Sequence, residues 1–314
     1  MTTLTMKFGG TSVGNAEAHA QAATIIVEQA QKWDQMVVVV SAMSGVTDAL
    51  TKGALTAAAG DNQTYRAVVA DLRVNHYRAV DALLDSEEHT QLLATVDQYL
   101  DEFATFCRSI YVLGEVTARA MDAITSLGER INARILGALL RQLGVYSQAV
   151  DATELIVTDD KYQNAVPLMD STRTRIEENL SPLLDEEVIP IVTGFIGASE
   201  EGVTTTLGRG GSDYSAAILG NCLDADEVWI WTDVDGVMTT DPRIVPDAKV
   251  LPSLSYNEVG ELAYFGAKVV HPRTIRPVVD RDIPLWVKNT FNPTHPGTRI
   301  CREGEKAPNT IKAV

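Results

Sequence analysis

Met36-Val37-Val38-Val39-Val40 runs straight into Ser41-Ala42-Met43-Ser44-Gly45-Val46-Thr47-Asp48. An unbroken apolar run rich in β-branched residues has no polar face to offer water, so it reads as a strand covered on both sides, the pattern of a parallel sheet. Three other short runs have the same character: Val188-Ile189-Pro190-Ile191-Val192, Glu227-Val228-Trp229-Ile230-Trp231 and Ile283-Pro284-Leu285-Trp286-Val287. They alternate with helical patterns, which predicts an α/β fold with a largely parallel sheet sandwiched between helices.

Working outward, residues 64–110 turn wholly helical, with Leu92, Leu93, Val96, Tyr99, Leu100, Phe103, Cys107 and Ile110 recurring at three and four residues. This reads as a helical insertion whose apolar stripe is core and carries no chemistry. From Gly128 onward Ile131, Ile135, Ala138 and Leu139 share one face, which predicts that Glu129 and Arg130 stand in the first turn of a helix. A charged stretch at residues 183–187 suggests a soft boundary inside one domain of 1–314, with lobes of approximately 1–185 and 186–314.

Composition narrows the function. Hydrophobic residues make up 45% of the 314 and charged residues 22%, enough apolar side chain for a large core. The formal charge of −16 repels nucleic acid and anionic membrane surfaces. Cations beside glycine-rich turns therefore stand out, because they alone can make a positive site within an acidic shell. The three cysteines, Cys107, Cys222 and Cys301, lack the spacing of a disulfide framework or a zinc site, which points to a reducing cytoplasm and assigns no protein-held metal. The N-terminal residues lack a basic segment followed by an apolar one, and no run of about 18 apolar residues occurs, so a soluble, unexported protein is expected.

Four segments have the residue types that phosphate chemistry needs. Met6-Lys7-Phe8-Gly9-Gly10-Thr11-Ser12 takes a strand into two glycines, which let backbone N–H groups approach phosphate oxygens, with a lysine beside them. It is not a Walker A loop, and an ordinary strand-to-helix turn with a surface lysine accounts for it equally well. Residues 41–48 extend the second strand, where Thr47 or Asp48 would serve as a plain helix cap. Thr204-Thr205-Thr206-Leu207-Gly208-Arg209-Gly210-Gly211-Ser212-Asp213 gathers three glycines around an arginine before an apolar helix. Capping explains Ser212 and Asp213 there but leaves the arginine unexplained. Finally, Trp231-Thr232-Asp233-Val234-Asp235-Gly236-Val237-Met238 breaks a strand into a turn-rich loop that reaches Arg243.

Taken together, in this order and across nearly the whole chain, these segments and Phe265-Gly266-Ala267-Lys268-Val269 resemble the aspartate kinases within the amino-acid kinase family. The Gly-Arg-Gly-Gly-Ser-Asp string at residues 208–213 is the most specific part of the resemblance. It implies the amino-acid kinase fold, an open, mainly parallel eight-stranded sheet, with aspartate in the N-terminal lobe and ATP in the C-terminal one. It further implies that Lys7 stabilises the transferring phosphoryl group and Asp213 organises the Mg²⁺ ions that accompany ATP. Thr47, Glu129, Arg209 and Ser212 would then contact aspartate, with Glu129 on its ammonium. Lys7, Gly9, Gly10, Thr232, Asp233, Met238, Arg243, Lys268 and Val269 would line the ATP site.

A first-turn helix acid remains the plain alternative for Glu129. Met238 stands where many relatives carry a tyrosine, which bears on base stacking. A sister kinase acting on another carboxylate, carbamate or nucleoside monophosphate is the nearest rival reading, and a non-catalytic nucleotide or oxoanion binder is the more distant one. Many relatives continue into paired regulatory modules, called ACT domains, that this sequence lacks, so little feedback inhibition by lysine or threonine is expected. A homo-oligomer is left open, with a weaker or different assembly than those modules would give.

Overall fold

The computed structural model describes residues 1–85, 87–240, 244–245, 247–264, 270, 272–304 and 313. Its main sheet has eight strands in the order β3-β5-β2-β1-β8-β10-β11-β9: β1 Thr3–Phe8, β2 Gln35–Val40, β3 Ser147–Val150, β5 Ile189–Thr193, β8 Glu227–Thr232, β9 Ser253–Ser255, β10 Leu285–Asn289 and β11 Thr298–Cys301. Every pairing is parallel except β10 with β11. Three short strands, β4 Val157–Thr158, β6 Ile196–Ser199 and β7 Thr204–Thr206, form a second sheet in the order β4-β6-β7.

The valine run explains the layering. Met36, Val38 and Val40 enter one hydrophobic core and Val37 and Val39 the other, because successive side chains of a strand point to opposite faces. The first core is covered by α1 Ala16–Ala30, α2 Val46–Ala58, α3 Thr64–Leu83, α4 Glu88–Leu113 and α5 Ala118–Gln142. The second is built largely from α6 Met169–Asn179, α7 Ser181–Asp185, α8 Gly211–Cys222, α9 Tyr256–Tyr264 and α10 Pro272–Arg281. With both faces covered, no strand of the central sheet needs a polar side, as the sequence implies.

The helical insertion is two helices, α3 and α4, and the expected stripe of Leu92, Val96, Leu100, Phe103, Cys107 and Ile110 is the buried face of α4. One expectation fails nearby. Glu129 is in the middle of the 25-residue α5, whose N-cap is Thr117, so it is not a first-turn acid. Gly128 does not open the helix; it lets the helix approach the loop after β2, since a Cβ there would meet the Ala42 Cβ at 2.7 Å and the Val46 Cγ1 at 3.0 Å. Strand β5 follows the 185/186 boundary in sequence yet lies between β3 and β2.

Candidate functional site

Strands β1, β2 and β8 are neighbours, so their C-terminal ends come out side by side, at the position where open α/β sheets hold ligands. The Gly9 N–H donates to the Trp231 carbonyl (3.1 Å), the Ser41 N–H to the Phe8 carbonyl (3.1 Å) and the Ser12 hydroxyl to the Trp231 carbonyl (3.3 Å), which knits the three loops together. Above them is a cleft of about 820 Å³. Of the residues singled out in the sequence, Lys7, Gly9, Gly10, Thr47, Glu129, Arg209, Ser212, Asp213 and Thr232 all line it.

Lys7 is not a surface lysine. It is 9% exposed, and the alternation of β1 turns it away from Met6 and Phe8 toward α8, where Nζ meets Asp213 Oδ1 at 2.6 Å. Asp213 belongs to the first turn of α8, whose N-cap is Gly210 at φ 71°, with no side-chain cap. Ser212 therefore lies inside the helix and is not its N-cap, a second correction. The Gly211 N–H donates to the Gly208 carbonyl (2.9 Å), while the N–H groups of Ser212 and Asp213, with no side-chain cap, remain for a ligand, and the dipole end favours an anion there. Thr47 and Asp48 likewise do not cap α2, which starts from Gly45 at φ 80° with no side-chain cap bond. The Gly9 N–H is already engaged in the sheet, which leaves Gly10 and the start of α8 to supply the backbone donors of the cleft.

Arg209 stands exposed at the rim, between Gly208 and Gly210. Gly208 is required for space as well as conformation. At φ 77° it adopts a left-handed backbone, and a Cβ would meet Asn164 Oδ1 at 2.8 Å and the Gln163 carbonyl at 3.0 Å.

Glu129 is the most unusual group in the cleft. It is 3% exposed and accepts the backbone N–H of Ala42, while Oε2 has no hydrogen-bond partner among the described residues. Burial pushes its carboxyl up to about 8, against the opposing pull of the backbone N–H bonds. A carboxyl held this way is neutral or poorly satisfied until a cation arrives.

The sequence reading missed part of the lining. Met121, Asp122, Thr125, Gln163 and Phe195 also face the cleft. Asp122 and Thr125 precede Glu129 at helical spacing on the same face of α5, and that spacing is the signal that would have found them. Gln163 and Phe195 have positive φ, 66° and 71°, which no local pattern announces.

The expected nucleotide residues are less concentrated. Asp233 is exposed and Met238 half-buried in an isolated bridge with Val250, and neither lines the cleft. Arg243, Lys268 and Val269 lie outside the described residues. No group of three or more His, Cys, Asp or Glu suited to a metal occurs among the described residues, and no helix among them is long and apolar enough to cross a membrane.

Comparison with known proteins places this geometry. Bifunctional aspartokinase/homoserine dehydrogenase 1 of Arabidopsis thaliana is 39% identical over 298 residues, 95% of this chain and 32% of that protein. Aspartokinase 2 of the same plant is 34% identical over 99% of this chain and 57% of its own length. The chain thus spans from about a third to rather more than half of these curated relatives. The crystal structure of E. coli aspartokinase III in complex with aspartate and ADP superposes with a TM-score of 0.89 at 32% identity, covering 98% of this chain and 66% of that one. The profile described as "Amino acid kinase family" matches residues 2–289, a span that takes in every strand of the sheet but β11 and every residue of the cleft. The chain belongs to the amino acid kinase family.

Proposed function

We propose that the protein transfers the γ-phosphoryl group of ATP to the β-carboxylate of L-aspartate, giving 4-phospho-L-aspartate and ADP. The observation that carries this reading is Glu129, a buried carboxyl with one bare oxygen, in a cleft that also holds Arg209 and the Lys7–Asp213 pair. An ammonium satisfies Glu129 and a carboxylate suits the guanidinium of Arg209, so an amino acid fits both ends. Its second carboxylate is then free to face Lys7.

An aspartate oxygen attacks the γ-phosphorus while the bond to the leaving ADP oxygen breaks. A carboxylate has no proton to lose, so the protein needs no general base and works by positioning and by offsetting charge. Lys7 follows the phosphoryl group in flight. Thr47, Ser212 and the first turn of α8 hold the acceptor, and Gly10 and Thr232 border the nucleotide. Mg²⁺ comes with ATP: the lack of a cluster of three or more acids among the described residues suits an ion held chiefly by phosphates and water, and Asp213 is the residue that would hold it. When bound, it neutralises charge between the phosphates.

We assign aspartate mainly to the N-terminal lobe and ATP to the C-terminal one, with Arg209 and Ser212 crossing the division. The three free cysteines, two of them buried, suit the reducing cytoplasm. The reading is tested by ADP release with aspartate, glutamate, acetylglutamate, carbamate and UMP as acceptors. Aspartate should support turnover well above the others; turnover on another acceptor with none on aspartate overturns it.

A further inference from the structure

Seven residues before Glu129, on the same face of α5 and in the same cleft, lies a second carboxylate that the reaction does not need. Asp122 is 1% exposed. Its Oδ1 accepts the Gln163 N–H (3.1 Å) and the Thr206 hydroxyl (2.8 Å), and its Oδ2 accepts the Gln163 N–H (2.9 Å) and the Thr206 N–H (3.0 Å). No salt bridge to it occurs among the described residues, and burial outweighs these bonds to raise its carboxyl above the usual range. A charge in that setting is costly unless its acceptor sites are used, as they are here.

The donors come from two segments that meet a second time. Gln163 lies in the turn before Ala165, whose N–H donates to the Thr206 carbonyl (2.9 Å), and Thr206 ends β7. Both segments close on Gly208, against which Asn164 and the Gln163 carbonyl pack too tightly for a side chain. Immediately beyond come Arg209, Gly210 and the first turn of α8 with Ser212 and Asp213. One carboxylate on a long rigid helix thus fixes both backbones from which the glycine–arginine turn springs.

We propose that Asp122 is a positioning residue: through the backbones of Gln163 and Thr206 it sets the turn at residues 208–211 and with it the place of Arg209 over the cleft. The kinetic half of this inference rests on the reading of Arg209 as the contact to the acceptor carboxylate; the structural half does not.

The test uses Asp122→Asn in the full chain, which keeps size but turns an amide donor toward a backbone N–H. Hydrogen exchange followed by mass spectrometry on the ligand-free protein should show residues 206–213 exchanging about ten-fold faster, with residues 64–113 unchanged. The aspartate KM should rise about ten-fold with the ATP KM nearly constant. Thr206→Val, which removes the hydroxyl but keeps the N–H, should move both readouts the same way by less, and it decides the matter if Asp122→Asn does not fold. Exchange at wild-type level in 206–213, or faster exchange spread evenly over the chain without a KM split, overturns the positioning role. If local exchange rises but the wild-type protein does not turn over aspartate, the clamp stands and the substrate assignment falls.

Discussion

At one end of the cleft, Asp122 and Glu129 are carried on a 25-residue helix and are 1% and 3% exposed; at the other, the lining stops at Thr232, and Asp233 beyond it is exposed in the loop that follows β8. The first end is preorganised. Its groups are fixed by a helix packed through Gly128 against the loop after β2, and the Asn132 amide donates to the Ser41 carbonyl at 2.5 Å to hold that loop. The second end depends on groups that water still reaches, where a single contact is worth less. Under the proposed function, the difference teaches that discrimination between acceptors should reside at the buried end, while the exposed end should tolerate change.

The largest effect is expected where the two ends meet. Lys7→Ala should lower kcat by about 10²–10³-fold with smaller changes in either KM, because a charge that counts mainly in the transition state is lost. An unchanged kcat in folded variant, measured by ADP release, would remove Lys7 from the reaction and leave the comparison without its centre.

Glu129→Gln should raise the aspartate KM by roughly 30- to 100-fold and leave that of ATP nearly alone, since a buried charged partner of the ammonium is removed. A pH experiment sharpens this. The folded carboxyl at about 8 is above its ordinary 4.5, so protonated Glu129 contributes stability that is full below 4.5 and lost as pH rises through 8. The slope is about 1.4 kcal/mol per pH unit at most. The melting temperature of ligand-free wild type should thus fall relative to Glu129→Gln between those limits and run parallel above them. Aspartate binding near neutral pH should release a proton, visible as a buffer-dependent binding enthalpy. Parallel melting curves throughout would show that Glu129 is already ionised.

Arg209→Lys comes next, with about a ten-fold rise in aspartate KM from loss of the planar two-pronged contact. A rise in the ATP KM alone would move Arg209 to the other end. Smallest is Asp233→Ala, for which an ATP KM within about three-fold of wild type is expected, as befits an exposed group. A change as large as that at Glu129 would break the contrast between the ends.

Much of this was legible without coordinates. The valine run reads as a strand with two covered faces, and its side chains do enter two cores; the arginine among glycines ahead of a helix reads as a place for an anion, and it lines the cleft. The same local logic misread Glu129, because a glycine followed by acid, base and an apolar stripe looks like a helix start, whereas Gly128 serves a contact with residues 42 and 46. It also passed over Asp122, whose partners Gln163 and Thr206 are 41 and 84 residues away.

What the sequence by itself determined, then, is the layered α/β sheet and the residue types of the loops at the C-terminal ends of its central strands, since strand alternation, glycine conformation and charge are local properties of the chain. Only the tertiary structure decided which acids are buried, which of them are satisfied and which is left with a bare oxygen. Those are properties of the space between distant segments, where desolvation and hydrogen bonding compete, and neither can be counted until the segments are brought together.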